Sequence, residues 1–420
     1  MKRLVVAVIA MGLLAGGHLL AAGFAINEQG ARSMAQAMAF VARADDPSAV
    51  FYNPAGITQL EGTQFYFGAT LIAQSSTWNS DLGALSIDSD DRMEIPPHMY
   101  MSYQLNDDWY FGFGFFVPYG LSKKWSDEFP GKYSSRNVRL QAFNINPNIA
   151  YKINDVLSVA VGLDIVYSTA KLERDLYLAQ IIPGVPDGYF SADVSGTGFG
   201  ANAALLARIN EQVSFGFNYR SQVKVDFDGD LTNTIPTTGN PTYDAILTGL
   251  FPNQEVETAI TMPDVIQTGF AFKPVDNYTT EIDFQWTNWS VYDQLPFIFS
   301  QPTQALVSRE IPKLWTDGYA LRWGNEYKYS ENLDFRAGAY YDWNPVPDAT
   351  LDPMLPDSDR FSFQLGFGWH NEKITLDVAY MYIYFMKRDI NNDPIYGIIP
   401  SSGSYESSAH LFGLSLGYRF

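Results

Sequence analysis

Two cations and one apolar run give this chain its plainest chemistry. Arg174 follows Lys171-Leu172-Glu173, and Lys313 stands two residues before Trp315; both lie where strand-like runs give way to long loops. A guanidinium or ammonium in such a place can hold the carboxylate head of an amphiphile by a charge-assisted hydrogen bond. Glu173 offers Arg174 a structural ion pair instead, which is the commoner fate of a surface cation. A greasy tail would match the segment that starts at Ile374. Alternate residues there are Thr375, Asp377 and Ala379, then Met381, Ile383 and Phe385, so one face turns from polar to apolar along its length. Burying a methylene is worth about 0.8 kcal/mol, so a long acyl chain gains on the order of 10 kcal/mol before entropic costs. Met and Phe adapt to chains of varied shape. The same three residues would serve equally well as packing for another part of the chain.

Hydrolysis has less support. Of four histidines, His18 precedes the mature chain, His370 lies in a turn and His410 sits on an outward phase. His98 points inward without a partner evident in the sequence, short of a nucleophile–base set. The chain has no cysteine, so disulfides and thiolate metal sites are excluded. The acidic residues are not clustered at ligand spacing, and no metal or cofactor is expected. A net charge of −19 argues against nucleic acid as a partner.

The elements that must position these residues are strands. Lys2 and Arg3 precede an apolar run, Leu4 to Leu14, and small residues follow at Ala21 and Ala22, which predicts a cleaved secretory leader over residues 1–21. No later run approaches the roughly 20 apolar residues of a spanning helix. Alternation is pervasive instead. At the C-terminus Phe412, Leu414, Leu416, Tyr418 and Phe420 share one face, opposite Leu411, Gly413, Ser415 and Gly417. Leu157 to Tyr167, Val213 to Tyr219, Ile282 to Trp286 and Ile374 to Tyr384 repeat the pattern, which is that of strands between lipid and a lumen. Six polar knots divide the chain: Asn106-Asp107-Asp108, Asn154-Asp155, Asn210-Glu211, Asp276-Asn277, Glu331-Asn332 and Asn371-Glu372. They read as tight turns, with long loops at the other end. The count predicts an all-β fold, a 14-stranded antiparallel transmembrane β-barrel over residues 63–420. Alternation slips near Ala142, where a β-bulge is expected.

Residues 22–62 read differently. Asp46-Pro47 marks a helix start, a second break falls at Asn53-Pro54-Ala55, and the segment is too apolar for a free tail. It is expected to fill the lumen as a small, partly helical hatch. Trp109 to Val117 reads as a strand broken by Pro118-Tyr119-Gly120. Unpaired backbone cannot face lipid unless protein covers it or it lines a cavity, so a kink there can open the wall; the other reading is that Pro118 ends the strand. Two long loops carry apolar residues, Ile181 and Ile182 in one and Leu247, Leu250 and Phe251 in the other. They are candidate capture surfaces, or a cap in which the loops pack on each other.

Ala22-Gly23-Phe24, Asn27-Glu28, Ala44-Asp45-Asp46 and Asn53-Pro54-Ala55 together resemble the N-terminal hatch of the FadL family of outer-membrane transporters. The resemblance resumes at Met262-Pro263-Asp264, Trp286-Thr287-Asn288-Trp289-Ser290, Trp315-Thr316-Asp317, Asp342-Trp343-Asn344-Pro345 and Leu355-Pro356-Asp357-Ser358-Asp359-Arg360. It implies a fourteen-stranded barrel in the bacterial outer membrane, a plugging hatch and passive uptake of hydrophobic molecules. It also implies loops that first capture ligand, an inward kink in the third strand, and a hatch shift near Phe24 before escape sideways into lipid. Long-chain fatty acids are the expected ligand, aromatic or alkane hydrocarbons the alternative, and a monomer embedded in outer-membrane lipid the expected state. A barrel enzyme acting on lipid and an open porin are the rival readings.

Overall fold

The computed structural model describes residues 23–80, 83, 85–390 and 402–420; the expected leader lies outside them. Fourteen wall strands form one antiparallel sheet. They are β1 (Thr63–Asn79), β2 (Pro97–Gln104), β3 (Trp109–Lys124), β4 (Asn137–Lys152), β5 (Leu157–Leu176) and β6 (Gly188–Arg208). Four interrupted strands follow: β7 (Val213–Arg220, Val223–Thr234), β8 (Gln254–Met262, Val265–Val275), β9 (Tyr278–Thr287, Gln294–Phe299) and β10 (Arg309–Pro312, Gly318–Lys328). The set ends with β11 (Leu333–Asp342), β12 (Arg360–His370), β13 (Ile374–Phe385) and β14 (Gly403–Arg419). β14 pairs back onto β1 from Gln64↔Arg419 to Asn79↔Ser404, so the sheet closes on itself.

The turns form for the reason their sequences suggest. Asn106, Asn154, Asn210 and Asn371 each accept, on Oδ1, the amides two and three residues on, at 2.8–3.0 Å. Alternation sorts the faces as expected: Ile145, Val161, Leu163, Phe270, Phe363, Phe412 and Leu414 lie exposed on the outside. The slip near Ala142 is not a bulge in β4. Val138, Leu140, Ala142, Asn144, Asn146, Asn148 and Ala150 keep one buried phase, and β4 pairs with β5 without a register shift. What changes is the lining, from asparagines to apolar residues on the same face. The bulge lies on the neighbouring strand, between Phe116 and Tyr119 of β3.

The hatch fills the lumen up to the start of β1. Its short helices are α1 (Ala31–Met34) and α2 (Ala49–Tyr52), followed by a 3-10 turn, Pro54–Gln59. Asp46-Pro47 does not itself start a helix; Ser48 is the N-cap residue, and the Asp46 carboxylate accepts the Ser48 amide at 2.8 Å and its hydroxyl at 2.5 Å. Ionic contacts pin this part to the wall. Glu326 on β10 meets Arg32 at 3.1 Å, Arg43 at 3.3 Å and Arg336 of β11 at 2.7 Å. The Asp283 carboxylate accepts the Phe40 and Val41 amides at 2.8 and 3.0 Å, and Glu281 accepts that of Ala42 at 2.6 Å. Breaking one buried pair of this kind costs about 3–5 kcal/mol, because the surviving charge is stranded. Asn53 donates to the Val41 and Leu205 carbonyls at 2.7 and 3.0 Å and accepts the Ala55 amide at 3.1 Å; Pro54 and Ala55 are buried beside it.

Hatch and wall touch at backbone distance. A Cβ on Gly216 of β7 would fall 2.0 Å from the Val41 carbonyl oxygen. Gly216→Ala is therefore expected to destabilise hatch docking by about 1–3 kcal/mol while the barrel still closes. Gly249 lies in the exposed loop helix α3 (Pro241–Leu250), and a Cβ added there would meet nothing within 4 Å. Gly249→Ala should be neutral or stabilise by up to about 1 kcal/mol. Thermal unfolding and protease nicking of the hatch read both variants.

Candidate functional site

The site is built where the wall leaves its own ladder. β9 breaks off after Thr287 and resumes at Gln294, and β10 breaks between Pro312 and Gly318. Within the first break, Trp289 enters a 3-10 turn, Trp289–Val291. Within the second, Leu314 holds a left-handed φ of 52°, and the Lys313 and Leu314 amides both donate to the Asp293 carbonyl, at 2.7 and 2.9 Å. These excursions carry Trp289, Tyr292 and Trp315 inward around Phe24, with ring centroids 4.6, 5.8 and 5.8 Å away; Tyr119 of β3 closes the cage at 6.1 Å. Gly23 is obligatory at its position: φ is +63°, and a Cβ would lie 2.7 Å from Trp289. Its amide donates to Asp357 Oδ2 at 2.7 Å.

Phe24 lines two cavities, as do Leu121, Arg139, Leu140 and Leu355. The smaller, about 90 Å³, is apolar and lies among Leu140, Val194, Ile260, Leu295 and Phe297, with Lys313 at its border. The larger, about 440 Å³, is of the size usual for small-molecule sites. It runs from Phe24 and Glu28 past Ile383 and Phe385 to Ile95, Pro96, Val117 and Phe143 in the wall. Its outer end coincides with a gap in strand pairing. β2 and β3 pair only from Gln104↔Tyr110 to Met99↔Phe115. β3 nevertheless continues to Lys124 on β4, so Pro118 does not end the strand. Above the gap, contact returns at Ser89↔Trp125 and from the Asp90 amide to the Lys124 carbonyl, 2.8 Å. The result is a window in the pairing of the wall, bounded above and below.

Across the window the hatch takes over as pairing partner. Ile26 N donates to Pro118 O at 2.8 Å, Gly120 N to Phe24 O at 2.9 Å, and Gln29 Nε2 to Val117 O at 2.7 Å. Ala25 and Tyr119 thereby form an antiparallel bridge. Tyr119 is buried, and its hydroxyl donates to the Pro263 carbonyl at 3.3 Å.

The residues singled out from sequence separate into groups. Phe24, Gly120, Ile383, Phe385 and Lys313 border one or both cavities. Lys313 is buried and paired with Asp352 at 2.5 Å. Arg174 borders neither cavity: its guanidinium lies over the Phe190 ring at 4.7 Å and donates to the Tyr133 carbonyl at 3.3 Å. Met381 is buried against the hatch. Ile181, Ile182, Leu247, Leu250 and Phe251 pack into the upper core as a cap, away from both cavities, while Tyr243 and Ile246 of α3 stay exposed. His98 does have a partner that sequence could not show, Ser415 Oγ at 2.9 Å, but that hydroxyl also accepts the Ala31 amide and is sealed beneath the hatch. Sequence reasoning gives no role to the cage tryptophans or to Asp357. Their signal in the sequence is that all three fall within the stretches that carry the family resemblance, with no role assigned to them.

Comparison with known proteins places this arrangement. Residues 12–420 match the family model described as outer membrane protein transport protein (OMPP1/FadL/TodX). A long-chain fatty acid transport protein of Escherichia coli is 28% identical over 431 residues, covering 95% of this chain and 94% of that one. A Pseudomonas aeruginosa FadL homologue superposes with a TM-score of 0.83 at 20% identity, over 94% of this chain and 99% of its own. The Pseudomonas putida toluene transporter TodX does so at 0.73 and 17%, over 96% and 99%.

Asp357 makes the fold around the N-terminal contact sensitive to pH. Burial pushes its carboxyl up to about 6, while Arg360 and the Gly23 and Ser358 amides pull it back and Asp342 adds to the rise. Arg388 faces only its backbone carbonyl, at 2.7 Å. In the unfolded chain the carboxyl titrates in its ordinary range, so this group favours the fold at low pH and that contribution is lost as pH rises through about 6. Thermal stability should fall between about pH 5 and about pH 7.5, and Asp357→Asn should reduce that fall.

Proposed function

Because the chain belongs to the OMPP1/FadL/TodX family of outer membrane transport proteins, we propose that it carries long-chain fatty acids passively across the outer membrane and releases them sideways through the window between β2 and β3. The observation that carries this reading is the position of Phe24, which lines both an apolar pocket and a cavity that reaches the wall. Ligand first settles on the exposed loop residues Tyr243 and Ile246, passes the cap of Ile181, Ile182, Leu247, Leu250 and Phe251, and enters the pocket with its head at Lys313. Arg174, away from both cavities, has no part in this step. As the acyl chain fills the pocket it displaces Phe24, and the tail moves past Ile383 and Phe385 to Pro118, Tyr119 and Gly120. The chain acts as a monomer, with bilayer lipid as the receiving phase. It is a conduit rather than an enzyme.

Magnitudes favour long ligands. Burial of Phe24 is worth about 1.5–3 kcal/mol, and each of its ring contacts adds about 0.5–1.5 kcal/mol. A ligand gaining about 0.8 kcal/mol per methylene needs roughly four to eleven methylenes to displace Phe24 from the cage. A long-chain acid exceeds this span; toluene, the substrate in the name of one structural relative, falls inside it, which makes aromatic hydrocarbons the second reading.

Filling the window tests the route. A Cβ at Gly120 meets only the end of the Ile26 side chain, at 2.7 Å, and the Leu140 carbonyl at 3.6 Å. Gly120→Leu should fold, bind fatty acid as before and lower its uptake by about tenfold, a barrier of about 1.4 kcal/mol. Uptake at the wild-type rate would refute the lateral route.

A further inference from the structure

The inner end of the larger cavity carries a guanidinium whose bonding is incomplete. Arg322 of β10 is 1% exposed and lines this cavity. Its Nη2 donates to Gln285 Oε1 at 3.1 Å, and its carbon centre lies 5.2 Å from the Tyr340 ring centroid. Nε and Nη1 are buried and meet no acceptor. A buried charge short of partners is costly, and the cost is recovered by whatever supplies them. The nearby carboxyls do not. Asp342 is engaged by Arg360 at 3.3 Å. Glu28 feels both guanidiniums electrostatically but forms no ion pair with either among the described residues. Burial holds the Glu28 carboxyl above its ordinary range, while the Arg360 and Arg322 guanidiniums pull it back. Below Phe24, then, the cavity sets guanidinium donors among the Glu28, Asp342 and Asp357 carboxyls, and the unmet donors of Arg322 are ones that an alkane or an aromatic ring cannot use.

We propose that Arg322 is a second carboxylate station: once Phe24 moves aside, the head group of an ionised amphiphile passes from Lys313 to the free donors of Arg322 while its tail turns toward the wall. This rests on the transport reading and narrows it, because it makes the anionic head part of the route as well as of the entry.

The test measures equilibrium binding of palmitate and of methyl palmitate to full-length protein in detergent. In a Lys313→Gln background, a preference for the acid over the ester should persist. Adding Arg322→Gln should cut that preference by about tenfold, as for loss of one charged hydrogen bond, and leave ester binding unchanged. Proper folding is checked by heat-modifiable gel mobility. If Lys313→Gln alone abolishes the preference, or Arg322→Gln leaves it intact, the second station does not exist. Should Arg322→Gln misfold, a crystal structure of wild-type protein with palmitate decides: a carboxylate on Arg322 Nε and Nη1 supports the proposal, and water or an adventitious additive only at that place overturns it. Failure to bind either lipid would instead sink the transport reading itself.

Discussion

The structure depends on one constraint: no backbone amide or carbonyl at membrane depth can go unpaired. A closed barrel meets it everywhere except where a strand loses its neighbour. β3 loses β2 above Phe115, and the hatch backbone from Phe24 to Ile26 fills the gap. The first of these residues, Phe24, also lines both cavities. Under the proposed route, releasing the Phe24–Ile26 backbone leaves Pro118 and Gly120 without these partners.

The rest of the hatch is held in another way. Residues beyond Gly30 are tied by buried charge, with Glu326 gathering Arg32, Arg43 and Arg336, and Asp283 and Glu281 capping three successive amides. Residues 23–26 are held by aromatic contacts, two strand-like hydrogen bonds and the single Asp357 contact. The first set resists release by several kcal/mol per pair. The second is within reach of an incoming acyl chain. Under the proposed route, this division would confine movement to the leading residues and keep the lumen plugged below.

Much of this was legible in the sequence. Strand alternation, asparagine turns and the apolar content of residues 22–62 are local signals, and each had its expected consequence. The cage was not legible, because it forms where β9 and β10 stop being strands, and an absence of pattern does not say where a side chain goes. The bulge falls one strand away from where alternation suggests it. The lining of β4 switches from Asn144 to Leu140 without changing face, and a change of chemistry on a constant phase imitates a shift of phase. Arg174 and Lys313 look alike in sequence; only the fold shows that one meets the Phe190 ring and the other borders the apolar pocket. Ser415 and His98 lie over three hundred residues apart, and that contact follows from barrel closure alone.

The coupling between hatch and window is open to a direct trial. The chain has no cysteine, and Ala25 and Tyr119 face each other across an antiparallel bridge, a spacing that a disulfide can span. Fatty-acid uptake by the double variant Ala25→Cys/Tyr119→Cys should be blocked when oxidised and restored by reductant. Equal uptake in the oxidised and reduced states would contradict the account at its centre.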